Sequence, residues 1–342
     1  MDNSKPTNEQ WAALYDAAAA FKQTAPWDWM ADSDIFGVQD PETGKVGYCC
    51  ILGALGQVLG LNVYLGAEGL DTYLKLQTGE MAEDDPDILY SQDVLVVHWE
   101  DRSGLAPEDL QVIRSLGLKF RGKKGWPWFR RFEPGFPPRP INTQEAGFLT
   151  LALRQAMDLA IKLKEKATIL PPPENGSCLV RVPKIKEGNI LWREEERPFP
   201  VLVDKEMHVP PVDELRLKKL KGRIQRSGEI WEGDYFYGPA IIMEGDRPYF
   251  PYTAVWVNQG SGQILAVEFF PHSGFASEFQ NQFLSLLEQL KAAPQEIRVK
   301  KIEILQLLQP ITDQLNIPVA LQKKLPNLEE ARQAMTGFLS RE

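Results

Sequence analysis

Few side chains in this sequence stand where their type and spacing could do chemistry. His98, Glu100 and Asp101 close the apolar run Val94–Trp99, so an imidazole and two carboxylates lie at the end of a strand, where sheet proteins often build sites. Strand alternation lets His98 and Glu100 share a face and turns Asp101 away. A hydrolase or transferase using these three is the catalytic expectation. The plainer alternative is a sheet-edge histidine beside a solvated acidic turn. With only His98, His208 and His272 in the chain, an imidazole-rich metal site has few ligands to draw on.

Cys49 and Cys50 as nucleophiles need a base and a lowered pKa, and an apolar strand pushes a thiol the other way. Gly53, Gly56 and Gly60 follow a strand in a GxxGxxxG spacing with no Lys-Ser/Thr behind it. A phosphate loop requires GxGxxG or GxxxxGK[ST] with a helix after it, so these glycines are expected to serve tight turns. Asp32, Ser33 and Asp34, and the cluster Glu83, Asp84, Asp85 and Asp87, lack calcium-loop spacing and are expected to be solvated acidic surface. No cofactor and no metal are expected.

The most distinctive polar feature is KFRGKKGWPWFRR at 119–131. Lys119, Arg121, Lys123, Lys124, Arg130 and Arg131 alternate there with Phe120, Trp126, Trp128 and Phe129, and no acid intervenes. Residues 1–100 hold 4 basic and 17 acidic side chains, a balance of -13, so the contrast is steep. Cations beside aromatics suit an acidic protein partner, the chain's own acidic first portion included. They suit nucleic acid next, by phosphate contact and base stacking. The bland alternative is aromatic core with Lys and Arg snorkelling outward. The leading expectation is a non-enzymatic binding or interaction protein using Lys119, Arg121, Lys123, Lys124, Trp126, Trp128, Arg130 and Arg131. The alternatives are nucleic-acid binding through the same segment and the His98 hydrolase or transferase.

Elements must position these residues. Thr7–Gln23 carries apolar residues at helical spacing behind a capping box of Thr7 and Gln10. Phe36–Gln39 and Lys45–Gly53 are expected strands around the turn Asp40–Gly44, and the second is apolar on both faces, as an interior strand is. Leu61–Leu65 and Val94–Trp99 are further strands, and Ala67–Gln77, Ala106–Leu116 and Thr143–Lys166 are helices. Leu118–Gly125 is expected as a short strand and turn, and the Pro- and aromatic-rich Trp126–Pro140 as irregular. Beyond it, Cys178–Val182, Gly238–Met243, Tyr252–Asn258, Gly262–Phe270, Glu296–Val299 and Ile317–Leu321 are expected strands. Asp213–Ile224, a basic stretch, is an expected helix, as are Ser277–Leu290 and Asn327–Leu339. Ile302–Asn316 is a helix that Pro310 is expected to kink or split.

The chain has 342 residues, 43% hydrophobic and 25% charged, and a net charge of -9. These values fit a globular protein of two ordinary domains and oppose non-specific attraction to nucleic acid or anionic membrane. No apolar run approaches the ~18 residues that span a bilayer. Three cysteines with no CxxC imply neither a disulfide framework nor a structural zinc site, and MDNSKPTNEQ lacks a signal-peptide pattern. A cytoplasmic protein without membrane attachment is expected. TILPPPEN at 168–175 resembles a stiff linker. The fold class expected is α+β, with two similar domains at 1–167 and 177–342 joined by a linker at 168–176. Each is a mixed or antiparallel sheet with packed helices, and a shared helix–hairpin–helix order hints at internal duplication.

Trp11-x-x-Leu14-Tyr15, Pro26-Trp27-x-Trp29-Met30, Phe36-Gly37-Val38, Pro41-x-Thr43-Gly44, Gly47-Tyr48 and Val63-Tyr64-Leu65-Gly66 resemble an uncharacterised bacterial family. The pattern continues through Phe120-Arg121-Gly122, Trp126-Pro127 and Phe129, and Pro294–Leu339 resembles a second uncharacterised module. The resemblance implies a bacterial, cytoplasmic, two-module protein and carries no catalytic residues with it.

Overall fold

The computed structural model describes residues 4–80, 86–166, 170–186, 189–202, 208–238, 240–244 and 247–339. The acidic candidates Glu83, Asp84 and Asp85, and positions 168–169 of the expected linker, lie outside them. The chain divides into two compact units, Met1–Leu202 and Val203–Glu342.

The first unit runs α1 (Asn8–Thr24), β1 (Phe36–Gln39), β2 (Val46–Leu52), β3 (Gly60–Leu65), α2 (Gly66–Gln77), α3 (Pro86–Ser91), β4 (Val94–Glu100), α4 (Pro107–Ser115), β5 (Trp126–Phe132), α5 (Thr143–Lys166), β6 (Ser177–Lys186) and β7 (Asn189–Pro198). Its sheet has the order β5-β4-β3-β2-β1-β6-β7. All pairings are antiparallel except β1 with β6. Strand β2 is interior, as its apolar sequence requires: Cys49 and Ile51 face a core built with α1 and α5, while Tyr48 and Cys50 face a second core with Leu70 and Tyr73 of α2. The capping box of α1 forms, Thr7 Oγ1 accepting from Gln10 N and Thr7 N donating to Gln10 Oε1. A second box opens α5 between Asn142 and Glu145.

The second unit runs α6 (Glu214–Lys221), β8 (Gln225–Arg226), β9 (Ile230–Tyr237), β10 (Tyr252–Asn258), β11 (Ile264–Phe270), α7 (Phe275–Leu290), β12 (Ala292–Ala293), β13 (Glu296–Val299), α8 (Ile302–Leu315), β14 (Val319–Leu321) and α9 (Pro326–Leu339). Its main sheet has the order β11-β10-β9-β13-β14 and is mixed, with β13 parallel to both β9 and β14. Trp231 and Trp256 are fully buried on the α7–α8 side, and α9 covers the other face.

The architecture is α+β with mixed sheets, as expected, and several finer expectations change. The Pro-rich stretch does not end the first unit. Leu170 is buried in its core, and β6 and β7 extend its sheet, so the division falls beyond residue 198. The two sheets differ in strand number and order, and the expected duplication is not what the topology displays. Residues 126–132 are a strand rather than an irregular segment. Pro127 is tolerated because β5 is an edge strand, where a missing N–H breaks no inner ladder. No strand forms at 118–125, and only the bridge Ile242–Tyr249 forms near the expected strand Gly238–Met243, whose Pro239 lies outside the described residues. Pro310 does not split α8: Ile304, Leu307, Leu308, Ile311 and Leu315 hold both halves on one buried face.

Candidate functional site

The basic-aromatic segment divides into cations that build the first unit and cations that face solvent. Helix α4 starts at Pro107, with Ala106 N donating to Asp109 Oδ2. It ends where Gly117 takes a left-handed φ of 67° and Leu118 N returns to Ile113 O. That reversal lays Leu118 and Phe120 back against the helix. Lys124 closes the loop that follows. Its left-handed backbone is held by Lys124 N donating to Asp101 Oδ1 at 2.7 Å and by Lys22 Nζ donating to Lys124 O. Its own ammonium donates to Gly56 O and Gln57 O at 2.5 and 2.6 Å. Strand β5 then begins at Trp126.

Between α4, this loop and the start of β5 lies a recess of about 270 Å³. Its floor is Leu110, Ile113, Leu118, Phe120 and Trp126. Arg102, Arg114, Lys119 and Arg121 stand around it, all exposed, and no carboxylate lines it. Among the described residues Arg114, Lys119 and Arg121 enter no ion pair, whereas Arg102 lies 5.9 Å from the Trp126 ring. Phe120 and Trp126 meet at 5.8 Å, and Tyr15 backs Phe120 from the core.

Sequence reasoning named Lys119, Arg121 and Trp126 for this site, and they line it. Lys123 is exposed but not part of the recess, and Lys124 is spent on the loop. Arg130 and Arg131 are corrections: both are buried. Arg130 pairs two-pronged with Asp109, and Arg131 pairs with Asp93 and Glu145. Trp128 is turned away, stacked on His98 at 6.0 Å with the Arg130 guanidinium 4.8 Å from its ring. Arg102 and Arg114 went unnamed because they lie outside the basic run. The basic last turn of α4, next to Gly117, was the available signal.

The catalytic candidates do not converge. The amide nitrogen of Asn62 turns to the Tyr64 hydroxyl, so its oxygen faces His98 and accepts from Nε2 at 2.8 Å. Burial lowers the His98 pKa from its usual value to about 4, which keeps the ring neutral. Glu100 sits beside Gly104, and Asp101 serves Lys124, so no hydrogen bond or ion pair joins the three. Cys49, Cys50 and Cys178 are buried and unpaired, and burial raises each thiol, Cys178 to about 11. Gly53 and Gly56 lie in the β2–β3 connection and Gly60 is the first residue of β3, so a strand and not a helix follows. Among the described residues no three His, Cys, Asp or Glu side chains gather as a metal site, and no helix is long and apolar enough to cross a membrane.

The recess and the sheet that carries it fall in one recognised domain. Residues 11–181 match the family described as Domain of unknown function (DUF7309), and the chain belongs to that family. Residues 216–336, most of the second unit, match Domain of unknown function (DUF6930). The comparison with curated proteins returns no match. Among solved structures, similar chains include the integrase catalytic core domain of HTLV-2 in complex with magnesium, in its trimeric and dimeric forms. Each has 19% identity and a TM-score of 0.26, covering 35% of this chain and 74% of that one. At that score they bear on neither the fold nor the chemistry of this chain.

Proposed function

We propose that this is a non-enzymatic binding protein whose first unit takes an acidic segment of a protein partner into the α4–β5 recess. The observation that carries the reading is the set of exposed cations Arg102, Arg114, Lys119 and Arg121 around an apolar floor without a carboxylate. A space of about 270 Å³ admits one or two side chains. Exposed charge pairs contribute about 0–1 kcal/mol each, and apolar burial about 25 cal/mol per Å². Affinity therefore needs both, and a peptide with acids around an apolar anchor supplies both. Nucleic acid ranks second, because Phe120 and Arg102 already lie against Trp126 and leave less ring for a base. The separation of His98 from Glu100 and Asp101 gives the hydrolase or transferase reading nothing to build on. Three free, buried thiols suit a reducing compartment. With the motif resemblance, this extends the proposal to a bacterial cytoplasm.

The test is fluorescence anisotropy with a labelled glutamate-rich peptide carrying one central phenylalanine, against the full chain. Binding should weaken by about tenfold or more in Lys119→Glu/Arg121→Glu. It should stay unchanged in Lys218→Glu, which lies on the other unit. Equal binding to the recess variant removes the site. If oligo-dT of similar length binds tighter than the peptide and shows the same dependence on Lys119 and Arg121, the nucleic-acid reading replaces it.

A further inference from the structure

The second unit carries its own concentration of positive charge. Between Leu215 and Arg226 the sequence places Arg216, Lys218, Lys219, Lys221, Arg223 and Arg226 without one carboxylate. Leu217 and Leu220 bury against the core and fix the rotation of α6. Arg216 and Lys219, three apart, fall on one side of it, and Arg223 follows in the turn after it. Asp213 caps the helix by accepting from Arg216 N at 2.9 Å.

That side of α6, the turn after it and the end of α7 enclose a cleft of about 500 Å³. The volume lies in the range of small-molecule sites. Four basic residues line the cleft, Arg216, Lys219, Arg223 and Lys291, against one acid, Glu288. Glu288 is committed: its carboxylate accepts from Arg216 Nε at 2.9 Å and from Nη2 at 2.7 Å, and the Arg216 guanidinium holds it below the usual carboxylate range. Lys219, Arg223 and Lys291 are exposed and make no side-chain hydrogen bond or ion pair among the described residues. Three cations around one small concavity repel one another, and a bound anion relieves that repulsion.

We propose that this cleft is a binding site for a small compound carrying a pyrophosphoryl group. The lining excludes the alternatives in turn. No aromatic side chain is present to stack a base, and Leu220 and Ile224 are its only aliphatic wall, too little to anchor an apolar peptide side chain. Charge therefore dominates recognition, and a compact ligand with several negative oxygens matches cations on α6, in the turn after it and at the C-terminal cap of α7. Arginine pairs with carboxylate and phosphate oxygens in the same forked geometry. Glu288 thus occupies Arg216 as a ligand oxygen pair would, and acts as an internal competitor that sets the affinity of the cleft. The site is separate from the recess on the first unit and does not depend on its function.

The experiment is calorimetric titration of the full chain with inorganic pyrophosphate and, in a second arm, with ADP, using sulfate at matched ionic strength as control. Pyrophosphate is expected to bind with a dissociation constant of about 1 mM or tighter in low salt. A tighter constant for ADP supports an organic diphosphate, and equal constants support the pyrophosphoryl group alone. Lys219→Glu/Arg223→Glu, both exposed, should lower affinity about tenfold or more with the circular dichroism spectrum unchanged. Glu288→Gln should raise affinity several-fold by freeing Arg216, a gain that a merely structural ion pair does not give. Lys119→Glu/Arg121→Glu on the first unit should change nothing. Pyrophosphate binding no better than sulfate, or a Glu288→Gln protein that binds no tighter, overturns the proposal.

Discussion

Arg130 on β5 and Asp109 in the first turn of α4 form a two-pronged pair, with N–O distances of 2.9 and 2.6 Å. Asp109 also receives Ala106 N, so one carboxylate both caps α4 and fastens it to the sheet edge. The guanidinium is 8% exposed as a residue and lies over Trp128. Removing one member of a buried pair strands the other, at a cost of about 3–5 kcal/mol. Arg130→Ala should therefore destabilise the first unit by about that amount in urea denaturation. Lys119→Ala, exposed and unpaired, should stay within about 0.5 kcal/mol. Comparable losses in the two variants would erase the division between building and binding cations.

His98 supplies a pH dependence. Its folded pKa is depressed to about 4 by burial, so the unfolded chain, titrating near the ordinary value of 6.5, binds the proton more readily. The stabilising effect of the neutral ring is complete above pH 6.5 and is lost as pH falls toward 4. The ring keeps some exposure, so the loss should be about 2 kcal/mol across that window. His98→Gln should flatten the slope of stability against pH between those limits. An unchanged slope would show that the ring titrates alike in both states.

Glu232 is fully buried on β9, and its Oε2 accepts from Leu328 N at 2.9 Å, in the first turn of α9. The carboxyl oxygen there satisfies an orphan donor of the first helical turn. Glu232→Ala should cost about 1–2 kcal/mol, the range for a lost cap. The damage should be local: hydrogen exchange should speed up across α9 while β10 keeps its protection. Uniform loss over the second unit would mean that Glu232 supports the sheet rather than the helix.

Much of this organisation was legible locally. The box at Thr7–Gln10 set a helix start, and the double-sided apolar run of β2 marked an interior strand. What escaped depends on partners far along the chain. Ile230–Tyr237 is interrupted by Glu232, Gly233 and Asp234, yet it is central because Glu232 caps a helix and Gly233 makes room for the Trp256 ring. Strand β7, absent from the expected elements, is highly charged, which an edge tolerates, and Glu194 reaches the buried Arg181. The three prolines at 171–173 resembled a linker because nothing near them discloses that Val180 pairs with Gly37. The same limit governed the site. Arg130 and Arg131 look as available as Lys119 and Arg121 until Asp109, Asp93 and Glu145 are brought to them by the fold.

Trp126 and Trp128 bring this distinction to a single test. They are two residues apart on β5 and opposite Glu100 and His98 on β4. Trp126 floors the recess, touched by Phe120 and Arg102. Trp128 is held between His98, Phe132 and the Arg130 guanidinium. Truncating a packed Trp to Ala costs about 3–5 kcal/mol in a core and less where the ring is half exposed. Both rings are half-buried, so each truncation should cost less than that core value. The difference should lie in binding: Trp128→Ala should leave the affinity of the folded protein for the acidic peptide unchanged, and Trp126→Ala should weaken it about tenfold. The Lys119→Glu/Arg121→Glu variant removes only the charge at the rim. Comparing it with Trp126→Ala apportions affinity between charge and apolar contact, and if Trp126→Ala binds as tightly as the parent, the recess is not where the peptide sits.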